Sequence, residues 1–139
     1  NLPDLSEYDW LIALKTIIVI DKSGISLFSR FYNTEQDDTK KEYLISGALN
    51  SINLILAQMT GKEQLNTIEL PDKCIIIEYI NNLKFAIIAD RYLLSLQVRL
   101  KQFAEEFYSF FKEYIENFSG NLDLFLPAEA MVDRIFKPI

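Results

Sequence analysis

The residue types that carry most enzymatic and metal chemistry are scarce in this chain, and their spacing does not assemble a reaction. There is no histidine, which removes the commonest general base and the commonest metal ligand together. The one cysteine, Cys74, lies in the apolar run CIIIEYI and reads as a small buried hydrophobe; a low-pKa thiolate wants a cation or a helix start nearby, and the local sequence shows neither clearly. A structural zinc site and a serine–histidine pair are both excluded on these counts. Gly61-Lys62 lacks the upstream glycine and the following Ser/Thr of a phosphate loop, and four glycines in all leave no Gly-rich cradle. The acidic clusters Glu35–Asp38 and Glu105–Glu106 read as solvated faces or helix-start charges. DDTKKE offers none of the spaced, converging oxygens of a calcium or magnesium site. Glu78, inside an apolar strand, reads as edge- or solvent-facing, and Asp90-Arg91, at a strand–helix junction, as a cap. No catalytic, cofactor-binding or metal-binding residue is therefore assigned, and no enzyme is expected.

The elements that carry these residues follow from hydrophobic period. The chain has 139 residues, half of them hydrophobic and about a quarter charged, which suits one domain over 1–139. Its net charge of −6 argues against nucleic acid, which needs a basic face. Apolar runs are short, so no transmembrane segment is expected, and no signal peptide is visible. A lone cysteine fits a reducing, cytoplasmic setting. The chain begins at Asn1 and not at methionine, as a piece of a longer protein would.

Residues 1–13 are a lead-in, read either as a short helix capped by Ser6 and Asp9 or as an extended segment. Leu14–Tyr32 reads as a hairpin. Ile17–Ile20 is a β-branched run buried on both faces, Asp21-Lys22-Ser23-Gly24 is the turn, and the second strand alternates. Ile25, Leu27 and Phe31 take one face of that strand, and Ser26, Phe28 and Arg30 the other. After the polar loop 33–38, a capping box at Thr39 and Glu42 opens a helix that runs to Gly61, with small residues Gly47, Ala48 and Ser51 suited to close approach to the sheet. Three strands follow: Leu65–Leu70, Cys74–Ile80 and Leu83–Ala89, joined by turns at Pro71–Lys73 and Asn81-Asn82. A long helix is predicted from Tyr92 to Phe118, with Asp90 as its cap. Its sheet-facing stripe is predicted as Leu93, Leu96, Leu100, Phe103, Phe107, Phe110 and Tyr114. NLDLFL reads as an extended link, and Pro127 opens a last helix that Pro138 stops.

Between Phe103 and Phe118 the long helix carries seven aromatics, more than one stripe can place on a sheet. Tyr108, Phe111 and Ile115 fall on a second face. Either the chain termini cover that face or it is an exposed patch for a partner.

The fold class expected is α+β: a five-stranded antiparallel sheet flanked by helices, in the order ββαβββαα. That order resembles the longin domain, with the related roadblock domain as its neighbour. IIVIDKSGISLFSRFY is similar to the first longin hairpin, LKFAIIADRY to the last strand and helix start, and LDLFLPAEAMVDRIFKPI to the third helix of stand-alone, prokaryotic-type longin-like proteins. The resemblance covers residues 14–136; a helix at 7–13 departs toward roadblock. It implies a cytoplasmic, non-enzymatic interaction module with no cofactor. Such a module pairs as a homo- or heterodimer with another longin or roadblock subunit, or binds a small Ras-like GTPase in trafficking or GTPase-regulatory complexes. Phe28, Arg30, Tyr108, Phe111 and Ile115 are the residues expected at the partner interface. A roadblock-type GTPase regulator and a profilin- or PAS-like small-ligand sensor are the alternatives.

Overall fold

The computed structural model describes residues 10–32, 47, 52, 54 and 66–137. Five strands, β1 (Leu14–Ile20), β2 (Ser26–Phe31), β3 (Thr67–Leu70), β4 (Lys73–Ile80) and β5 (Leu83–Ala89), form one antiparallel sheet in the spatial order β2-β1-β5-β4-β3. A four-residue helix α1 (Trp10–Ala13) precedes β1, and the long helix α2 (Leu94–Glu116) follows β5. A 3-10 helix (Leu122–Phe125) and α3 (Ala128–Ile135) come last. The architecture is α+β, as expected. The predicted capping box at Thr39 and Glu42, the stop at Gly61, the loop 33–38, the Ser6 and Asp9 cap and the stop at Pro138 lie outside the described residues.

β1 is interior because its apolar run serves both faces. In the register, Ile17 sits opposite Ile87, itself opposite Ile76, while Ile18 sits opposite Ala86, itself opposite Ile77. The first row belongs to the larger core with the aromatics of α2, and the second to a smaller core with Ile52. Gly47, Ile52 and Leu54 are helical, and Ile52 is fully buried, so a helix covers the second face of the sheet. Gly47 is exposed and a Cβ there would meet nothing within 4 Å, so it does not serve close approach to the sheet. Gly47→Ala should therefore raise stability by about 0.5–1 kcal/mol, through lower unfolded-state entropy, in urea unfolding.

The hairpin turn is fastened by Asp21, whose Oδ1 accepts from the N–H groups of Ser23 (2.8 Å) and Ile25 (2.9 Å), while Gly24 takes φ +84°. Asn81 supplies the positive φ of the β4–β5 turn. β2 departs from simple alternation. Val19 pairs with Phe28 but Ile20 with Ser26, so Leu27 is an extra residue in a β-bulge. The bulge sends both Leu27 and Phe28 into the larger core.

Two further expectations are corrected. Asp90 does not cap α2: the N-cap is Leu93, without a side-chain hydrogen bond, and Asp90 instead lies 3.6 Å from the Lys15 ammonium. NLDLFL is not extended; Asn121 Oδ1 accepts from Asp123 N–H and starts the 3-10 turn. That turn delivers Phe125 into the aromatic core.

Candidate interaction surface

α2 is 23 residues, about 34 Å at 1.5 Å per residue, and lies across the larger core. Its buried residues are Leu96, Leu100, Phe103, Ala104, Phe107 and Phe111. Phe107 is the hub, with ring centroids 5.5 Å from Phe85, 5.7 Å from Phe103, 4.6 Å from Phe111 and 5.7 Å from Phe125, the last pair stacked. The stripe therefore ends on Phe111 and not on the expected Phe110 and Tyr114, both of which are exposed.

The residues expected at a partner interface fall mostly inside the chain. Phe28 is buried against Phe103, 6.1 Å between centroids. Phe111 is fully buried under Phe125, at 5.3 Å. Tyr108 and Ile115 are half-buried against the same core. Of the two readings of this face, coverage by the chain's own C-terminal segment is what the structure shows at Phe111. Phe28 and Phe111 offer no surface, and their assignment to an interface is corrected on that ground.

Arg30 is likewise turned inward, toward α3. Its guanidinium lies 2.6 Å from Asp133 and 3.5 Å from Glu129, and 5.5 Å over the Tyr32 ring. Burial lowers the Arg30 pKa, but the Asp133 hydrogen bond and the negative charges around it outweigh burial and leave it raised. Burial pushes the Tyr32 phenol up to about 12, against the pull of Arg30 and with Asp133 and Glu129 adding to it. A tyrosine raised in the fold favours the native state below its unfolded pKa near 10 and loses that advantage as pH climbs through about 12. Tyr32→Phe should remove this part of the alkaline loss, read as a shallower fall of stability between about pH 10 and 12 in denaturant titrations.

α3 is fastened at two more points. Arg134 pairs with Glu106, and Arg99 donates through Nη1 to the Ile135 carbonyl at 2.5 Å while its guanidinium sits 4.1 Å over the Trp10 ring. Phe136 meets Trp10 edge-on at 6.4 Å. α1, the start of α2 and the end of α3 are thus tied through Trp10 and Arg99.

Glu78 is half-buried, and not edge- or solvent-facing as expected. Its register opposite Phe85 puts it on the α2 side of the sheet. Burial raises its pKa, Lys101 opposes the rise and Glu105 adds to it. Cys74 is buried with its thiol pushed up by burial first and by Glu69 second, the reverse of a reactive thiolate. Among the described residues no three His, Cys, Asp or Glu come together as a metal site. No helix among them is long and apolar enough to cross a membrane.

Among the described residues, the exposed large hydrophobics include four on α2, with others such as Ile12, Ile25 and Leu54 elsewhere. Leu94 (57%) and Val98 (58%) form a ridge in the first half of the helix, and Phe110 (62%) and Tyr114 (44%) one in the second. At 3.6 residues per turn the two ridges point roughly 160° apart. An open groove of about 520 Å³ is lined by Leu94, Ser95, Val98, Arg99 and Gln102. Residue types alone contained the signal for the first ridge: Leu94 and Val98 are four apart and off the buried stripe.

No protein-family model matches the chain, and no curated protein matches it.

Proposed function

We propose that the chain is a non-enzymatic, cytoplasmic protein-interaction module of the longin-like type. It pairs with itself or with another longin or roadblock subunit and binds a small Ras-like GTPase, as part of a trafficking or GTPase-regulatory assembly. The observation that carries this reading is the apolar surface left on α2, where Leu94, Val98, Phe110 and Tyr114 stay exposed although Phe103, Phe107 and Phe111 of the same helix are buried. Each pair, four residues apart, makes an exposed apolar ridge of the kind a partner covers. The order of the described elements also supports it: two strands, helical positions at 47, 52 and 54, three strands, a long helix and a short one. The roadblock-type alternative draws on α1, which places a helix before the first strand. A small-ligand sensor gains no such support, because the groove on α2 is open where a ligand site encloses its ligand.

Binding titrations against purified Ras-like GTPases, loaded with GDP or a GTP analogue, test the proposal. Saturable binding that is lost in a Leu94→Glu/Val98→Glu or a Phe110→Glu/Tyr114→Glu variant of unchanged stability is expected. Binding that both variants retain would remove α2 as the partner surface.

A further inference from the structure

We draw no further inference here: the strongest candidate, the exposed apolar surface of α2 made by Leu94 and Val98 beside the open groove and by Phe110 and Tyr114 further along the helix, carries nothing because nothing in the structure shows what covers it.

Discussion

Phe107→Ala is expected to lower the free energy of unfolding by about 3–5 kcal/mol, the largest single loss of any aromatic on α2. The ring is fully buried and meets Phe85 from the sheet, Phe103 and Phe111 from its own helix and Phe125 from the 3-10 turn. Truncation removes the transfer free energy of the ring and leaves a cavity that four large neighbours on three different elements cannot close together. Because a domain of this size has about 5–15 kcal/mol in total, the variant should be close to unfolding at ambient temperature. Phe110→Ala, three residues on, should change stability by no more than about 0.5 kcal/mol, since its ring is already 62% exposed. Urea unfolding of the two variants side by side reads the difference directly. A comparable loss at Phe110 would mean that the helix is rotated from the orientation described.

The second large effect belongs to the other face of the sheet. Ile52→Ala should cost about 2–5 kcal/mol, because Ile52 is fully buried in the cluster of Ile18, Ile20, Ile75, Ile77 and Ala86. Leu54→Ala, two residues away and 66% exposed, should be nearly silent. The contrast matters for the fold as a whole. Ile18, Ile20, Ile75 and Ile77 are fully or almost fully buried, and a β-branched row of that kind stays dry only if a helix lies over it. If Ile52→Ala left stability unchanged, that layer would not be part of the folding unit. Near-equal effects at 52 and 54 would place the wrong side of the helix on the sheet.

The strands were readable because the signal there is local. Ile17–Ile20 and Cys74–Ile77 are β-branched runs that can be buried on both faces, and Asp21 with Gly24 and Asn81 supply their own turn chemistry. The bulge at Leu27 was not readable, since it depends on how β2 meets β1 and leaves no mark on an alternating pattern. The aromatic helix shows where a periodic argument stops. The mean direction of Leu96, Leu100, Phe103 and Phe107 leaves Phe110 and Phe111 roughly 50° to either side, a tie at 3.6 residues per turn. Phe125 breaks it by packing on Phe111, and Phe125 arrives through a 3-10 turn that the segment NLDLFL did not announce. The same non-local event leaves Phe110 and Tyr114 exposed and buries Phe111 of the expected second face. Arg30 is a parallel case. Its alternation with Phe28 was legible, but the carboxylates that claim it stand about a hundred residues later, on α3.

The proposal that this chain acts by binding, and not by catalysis, comes down to whether it forms a complex. Multi-angle light scattering on the size-exclusion peak of the full chain, alone at rising concentration and then mixed with Ras-like GTPases, measures that directly. The account predicts a mass approaching twice 16.2 kDa alone, or a complex with a GTPase in the mixture. A mass that stays at 16.2 kDa at every concentration, with no GTPase carried in the peak, would contradict it.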